Sequence, residues 1–247
     1  GNDSVQTSFS YILKDINLEN IILVGKDPVE AIGNNLSNSI IGNTGNNRID
    51  GGTGADTMNG SAGNDFFVVE NIGDLVTESL NAGTDTVESS IDYILKDNVE
   101  NLTLTGSAVK GSGNTLKNNL IGNEINNSLS GGNDSDTLDG GVGDDTLNGG
   151  TGNDRYIVDG SDIVVETSTL ATEVDIVVSS VSYNLPDNVE NLSLFGTKNI
   201  SGNGNALNNY LIGNITHNQI TGGAGSDTLE GYFGKDTLLG EVGNDYY

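Results

Sequence analysis

Glycine returns at every ninth residue in three separate blocks, and no other feature narrows the fold as much. The positions are Gly33, Gly42, Gly51 and Gly60; then Gly113, Gly122, Gly131, Gly140 and Gly149; then Gly204, Gly213, Gly222, Gly231 and Gly240. A unit of nine residues cannot bury a core alone, so such copies are stable only when stacked on one another.

A longer period encloses the short one. Ser10-Tyr11-Ile12-Leu13-Lys14-Asp15 returns as Asp92-Tyr93-Ile94-Leu95-Lys96-Asp97 and as Ser182-Tyr183-Asn184-Leu185-Pro186-Asp187, at separations of 82 and then 90 residues. One extra nonapeptide in the middle block accounts for most of that difference, and solenoids change length by whole repeats. The expected organisation is one continuous solenoid of three long repeats, 1–82, 83–172 and 173–247, with nonapeptide rolls at about 33–68, 113–157 and 204–247. Both termini match the interior of a repeat, Gly1 to Val5 with Gly83 to Val87 and Gly243 to Tyr247 with Gly63 to Phe67, so the chain reads as a piece of something larger.

Within each unit the pattern is Gly-Gly-x-Gly-x-Asp-x-U-x, with U apolar, met in full at Gly51 to Met58, Gly140 to Leu147, Gly149 to Tyr156 and Gly222 to Leu229. Six residues suit a turn and three a short strand whose middle side chain points inward, so two nonapeptides close one coil. The inward positions are then Ile40, Ile49, Met58 and Phe67; Leu120, Leu129, Leu138, Leu147 and Tyr156; and Leu211, Ile220, Leu229, Leu238 and Tyr247, all apolar or aromatic. Asp134 stands where glycine is usual; aspartate tolerates the left-handed region better than most residues.

On these motifs the chain resembles the repeats-in-toxin (RTX) family, the haemolysin-type calcium-binding nonapeptide proteins. The nonapeptides cover about half of the chain. The resemblance implies an all-β fold, a right-handed parallel β-roll or β-solenoid, with several Ca²⁺ ions between coils. It also implies a secreted or cell-surface module of a larger exoprotein or adhesin, exported by type I secretion machinery.

The residues themselves support a metal. Coils of a β-solenoid lie about 4.8 Å apart, so the sixth residues of alternate loops face each other. Two carboxylates at about 5 Å repel by roughly 3 kcal/mol at an effective dielectric of 20, and a cation between them reverses the sign. Calcium, at about 2.3 to 2.6 Å from oxygen and tolerant of many ligands, suits that gap better than magnesium. Position six reads Asn38, Asn47, Asp56, Asp65; Asn118, Asn127, Asp136, Asp145, Asp154; and Asn209, Asn218, Asp227, Asp236, Asp245. The candidate ligands are the aspartates of this series and Asp74, with backbone carbonyls of the turns at Gly51, Thr53, Gly131, Asn133, Gly140, Val142, Gly222 and Ala224. Asp136 with Asp154 and Asp227 with Asp245 form Asp/Asp pairs. The uncharged asparagines are expected to donate to their own kind along the stack and to start each roll without metal. Asp3, Asp85 and Asp175 precede strand-like runs and are assigned turn or capping roles.

Thirty-five acidic against nine basic residues, a net charge of −26, disfavour nucleic acid and anionic membrane as partners. No apolar run reaches transmembrane length, and cysteine is absent. Polysaccharide-modifying chemistry is disfavoured by scattered basic residues and a single histidine, His217, at a turn position. Threonines at position seven form no long ladder on one face, which removes ice binding. An extracellular glycan or surface remains as an alternative partner, although exposed aromatics are not concentrated in the sequence.

Overall fold

A computed structural model describes residues 1–170 and 172–247, and every regular element among them is a β-strand. Two compact units, Gly1–Leu120 and Ile121–Tyr247, divide the chain.

In the first unit one sheet runs Ser4–Thr7, Asn20–Leu23, Ser39–Ile41, Thr57–Asn59 and Leu75–Thr77, each strand parallel to the next. A second contains Tyr11–Ile12, Glu30–Ile32, Arg48–Asp50, Phe66–Val69, Thr86–Ser89 and Asn101–Leu104, also parallel. Neighbours in either sheet are alternate strands of the chain, so the backbone coils, laying one strand on each sheet per turn. This is a parallel β-solenoid.

The second unit repeats the plan. Thr137–Asp139, Arg155–Val158, Ile176–Ser179, Asn191–Leu194, Tyr210–Ile212 and Thr228–Glu230 pair in order. Opposite them lie Ser128–Asn133, Thr146–Thr151 and Ile163–Val164, and separately Tyr183–Asn184, Ser201–Asn203, Gln219–Ala224 and Thr237–Val242.

Register separates two kinds of coil. Nonapeptide coils advance by 18 residues, as in Ser39↔Thr57, Ser128↔Thr146 and Gln219↔Thr237. The others are uneven: Phe66↔Thr86 spans 20, Arg155↔Ile176 spans 21, and both Thr86↔Asn101 and Ile176↔Asn191 span 15. Extra residues bulge from the turns, leaving strand alternation intact on the core side.

The inward series from Ile40 through Phe67, Leu120 through Tyr156, and Leu211 through Leu229 is buried. Leu238 is half-buried and Tyr247 is 72 % exposed, contrary to the inward expectation. The left-handed requirement is visible at Asp134, with φ 68°, and at Gly152, with φ 132°. A Cβ at Gly152 would collide with the Asp134 carbonyl of the neighbouring loop.

Candidate metal centres

Seven position-six aspartates are each gripped by one oxygen. The backbone N–H of the sixth residue one coil earlier donates to its Oδ1: Asn38 to Asp56 at 2.7 Å, Asn47 to Asp65 at 2.7 Å, Asn127 to Asp145 at 2.6 Å, and Asp136 to Asp154 at 2.8 Å. Asn209 to Asp227, Asn218 to Asp236 and Asp227 to Asp245 continue the series. The second oxygen is another matter. In Asp56, Asp65, Asp145, Asp154 and Asp227, Oδ2 is buried and accepts no hydrogen bond. A buried carboxylate oxygen without a partner is costly unless a cation meets it.

Electrostatics agree with that geometry. Burial, opposed by the backbone hydrogen bond and reinforced by neighbouring acids, pushes Asp56, Asp145 and Asp154 up to about 6 and Asp65 up to about 7. Asp227 is raised in the same sense. The only ion pairs found among the described residues belong to Arg48, with Glu30 and Asp50, so no basic side chain neutralises these aspartates. The first glycine of each loop explains how the carboxylate fits. A Cβ at Gly51, Gly140 or Gly222 would collide with Oδ2 of Asp56, Asp145 or Asp227.

The asparagine loops close without an orphan and without a residue at positive φ. Asn38 Oδ1 accepts from Asn34 N–H at 2.8 Å, and its Nδ2 donates to the Glu19 carbonyl at 3.2 Å. Asn47, Asn209 and Asn218 repeat this arrangement with Asn43, Asn205 and Asn214. Asparagine donates to asparagine within a loop, from Nδ2 of Asn38, Asn47 and Asn218 to Oδ1 of Asn34, Asn43 and Asn214, while along the stack Nδ2 donates to backbone carbonyls of the preceding coil. A second asparagine, at position two, was not singled out from the sequence and does as much. Asn34 Nδ2 reaches the Asp15 and Leu18 carbonyls, and Asn205 Nδ2 those of Pro186 and Val189. The readable signal was Gly-Asn-x-x-x-Asn, which opens every run twice.

The remaining candidates fall into distinct places. Asp136 with Asp154, and Asp227 with Asp245, lie on adjacent coils. Asp227 is fully buried, whereas Asp236 and Asp245 are half-buried. Asp74 has both oxygens engaged by backbone, Oδ1 by Asp56 N–H and Oδ2 by the N–H groups of Glu70 and Asn71. Gly51, Gly131, Gly140 and Gly222 are buried beneath their aspartates, while Thr53, Asn133, Val142 and Ala224 are exposed at the turn surface. Gly131 and Asn133 belong to strand Ser128–Asn133, and Gly222 and Ala224 to strand Gln219–Ala224.

Asp85 and Asp175 depart from the turn or capping role expected of them. Each continues the ladder, accepting from Asp65 N–H and Asp154 N–H at 2.7 Å, and each is buried. Carboxylate oxygens of Asp65, Glu78 and Asp85 gather within 4.8 Å of one another, as do those of Asp154, Glu166 and Asp175.

Glycine turns, stacked aspartates and orphaned inward oxygens form a donor set of hard oxygens. The RTX calcium-binding nonapeptide repeat model matches four times, at residues 32–67, 121–156, 203–231 and 212–247. The chain carries RTX calcium-binding nonapeptide repeats. No curated protein matches its sequence. RTX repeats bind Ca²⁺, and the buried acidic groups fit that ion by charge and by the hardness of their oxygens. The chain is thus a calcium-binding β-roll module of a family that is structural and not typically enzymatic. No helix among the described residues is long and apolar enough to cross a membrane.

Proposed function

We propose that the chain is a secreted structural module of a larger exoprotein, kept extended by its own charge where calcium is scarce and folded by Ca²⁺ outside the cell. The observation that carries this reading is the set of buried Oδ2 atoms with no partner. A site absent from the unfolded chain makes binding free energy into folding free energy. The ions sit between coils, held by Asp56, Asp65, Asp136, Asp145, Asp154, Asp227, Asp236 and Asp245 together with turn carbonyls. Asp74 joins them as a ligand through its remaining acceptor site, while its three backbone donors, Asp56 N–H among them, hold it in place. A net charge of −26 opposes compaction in a low-calcium cytosol and suits passage through a type I secretion channel. Calcium at the millimolar level outside falls in the range of extracellular calcium modules, roughly 10⁻⁴ to 10⁻³ M.

Circular dichroism with small-angle scattering tests this. In EDTA at neutral pH the chain is expanded and keeps β-structure only in the asparagine-led coils, and calcium in the millimolar range collapses the rest into a β-rich particle. Equal β content in both would refute the reading.

A second reading, adhesion to a glycan, draws on one groove. Phe195, Ile212, Ile215 and Tyr232 line a space of about 500 Å³, and Phe233 packs edge-on against Tyr232 at 5.7 Å. The structure therefore does gather aromatics that the sequence leaves scattered. A glycan array probed with and without calcium separates this reading from a purely structural role.

A further inference from the structure

Where the first two nonapeptide runs give way to uneven coils, each last aspartate faces two acids that no nonapeptide supplies. In the first unit these are Glu78, directly after strand Leu75–Thr77, and Asp85, directly before strand Thr86–Ser89. In the second they are Glu166 and Asp175. We propose that each trio, Asp65–Glu78–Asp85 and Asp154–Glu166–Asp175, binds a further calcium-class ion that locks the nonapeptide roll to the coil after it.

Three observations point to a ligand. Oδ2 of Asp65 and Oδ2 of Asp85 are both buried and accept no hydrogen bond, in residues 2 % and 0 % exposed. Oδ2 of Asp154 is in the same condition. These orphan oxygens also converge with the glutamates. A Cβ at Gly60 would strike both Asp65 Oδ2 and Glu78 Oε1, so the two carboxylates meet over that glycine. At Gly149 a Cβ would strike Asp154 Oδ2 and the Tyr156 hydroxyl, which itself donates to Glu166 Oε2 at 2.7 Å. Finally, the oxygens of each trio lie within 4.8 Å, and two oxygens on opposite sides of one Ca²⁺ are about 4.6 to 5.2 Å apart.

The local chain explains how a glutamate arrives there. Glu78 Oε1 accepts from Gly60 N–H at 2.7 Å and Oε2 from Ser79 N–H at 3.2 Å, so its carboxylate is fixed from both sides. Glu166 is fixed by Tyr156 and by Ser168 N–H at 2.6 Å. One coil further on, Glu100 accepts from Asp85 N–H and Glu190 from Asp175 N–H, both at 2.8 Å. Among the described residues no basic side chain pairs with any member of either trio. Burial and mutual repulsion raise Glu78, and push Asp85 up to about 6 and Asp175 up to about 7, which is the cost of the bare cluster that a divalent ion removes. A cavity of about 120 Å³ bordered by Glu173, Asp175 and Glu190 opens beside the second trio and gives an ion a way in.

The inference rests on the chain binding calcium at its nonapeptides, and one titration distinguishes the two. Bound Ca²⁺ is counted by native mass spectrometry on the unaltered chain, on Glu78→Gln, on Glu166→Gln and on the double variant, each at saturating calcium. Glutamine keeps the acceptor for Gly60 N–H while removing the charge. Each single variant is expected to lose one ion and the double variant two, with the rest retained. A full count in the double variant overturns the inference and leaves nonapeptide binding intact; no ions on the unaltered chain overturns both. Should a variant fail to fold, crystals of the unaltered chain grown with Tb³⁺ decide. Anomalous peaks in contact with Glu78 and Glu166 are expected, and peaks confined to the nonapeptide loops overturn the inference.

Discussion

At Asn38 and Asn218 the sixth residue of the loop uses its carbonyl oxygen and its amide in hydrogen bonds, whereas at Asp56 and Asp145 one oxygen is bonded and the other is buried bare. The backbone turn differs as well: Gly52, Gly141 and Gly143 in the aspartate loops take positive φ, and no residue of 33–38 or 213–218 does. The amide goes with a turn closed by neutral hydrogen bonds within the loop, and the carboxylate with a left-handed turn that requires a counter-charge. Each run begins with the first kind and ends with the second, so a metal-independent platform precedes metal-dependent coils along the chain.

The largest expected effect comes from withdrawing calcium. At a concentration a hundredfold above its dissociation constant, one filled site contributes about 2.7 kcal/mol, or about a hundredfold in the opening equilibrium. Hydrogen exchange in EDTA is therefore expected to accelerate by at least that factor in Thr57–Asn59, Phe66–Val69 and Thr146–Thr151, which follow aspartate loops. Ser39–Ile41 and Tyr210–Ile212, which follow asparagine loops, retain more protection. Uniform loss across both classes breaks the comparison.

Acid acts on only one class, with a sign that depends on metal. The folded pKa values of Asp56, Asp145 and Asp154, about 6, and of Asp65, about 7, stand above the ordinary 3.8. Without calcium the folded chain holds protons that the unfolded chain has released. Metal-free stability is therefore lost as pH rises through 6 to 7 and regained on acidification. The β content in EDTA, read by circular dichroism, should climb between about pH 8 and pH 5. With calcium present the trend reverses, because protons then compete with the ion. A β content in EDTA that falls on acidification would contradict the burial of these groups.

A smaller effect comes from giving a platform loop the other chemistry. Asn38→Asp keeps the acceptor for Asn34 N–H but turns the donor to the Glu19 carbonyl into a second acceptor, leaving oxygen against oxygen. The expected loss is about 1 to 3 kcal/mol in EDTA, read from denaturant midpoints. Calcium should recover part of it, since the substitution places an Asp/Asp pair with Asp56 on adjacent coils.

Much of this was legible in the sequence because a nine-residue period fixes both strand register and inward face. Ile40, Met58 and Phe67, like Leu129 and Leu147, are where counting puts them. Counting fails once the coil length changes. Asp65 and Asp85 are 20 residues apart and Asp154 and Asp175 are 21 apart, so a rule of 18 passes over both partners. The residual signal was chemical: Asp85-Thr86-Val87 and Asp175-Ile176-Val177 repeat the Asp-x-apolar step of a nonapeptide. Glu78 and Glu166 had no such mark, because their carboxylates reach the preceding coil only through the register of the strands that deliver them. The position-two asparagines were readable as a pattern, yet their partners are carbonyls of uneven coils whose path only the folded chain specifies.

The smallest effect sharpens the contrast between the two glutamate trios. Tyr156 is fully buried, its hydroxyl accepting from Gly149 N–H at 2.9 Å and donating to Glu166. Phe67 takes the equivalent place in the first unit, and there Glu78 accepts directly from Gly60 N–H. Tyr156→Phe therefore recreates in the second unit an arrangement the first already holds. If Glu166 moves over to Gly149 N–H as Glu78 does, the variant loses about 1 kcal/mol of stability. Calcium affinity then changes by less than about threefold, because the carboxylate that carries the charge is retained. A loss approaching about 3 kcal/mol would mean that Gly149 N–H is left buried without an acceptor. In that outcome the tyrosine is a required spacer, and the two trios hold their ions by different geometry.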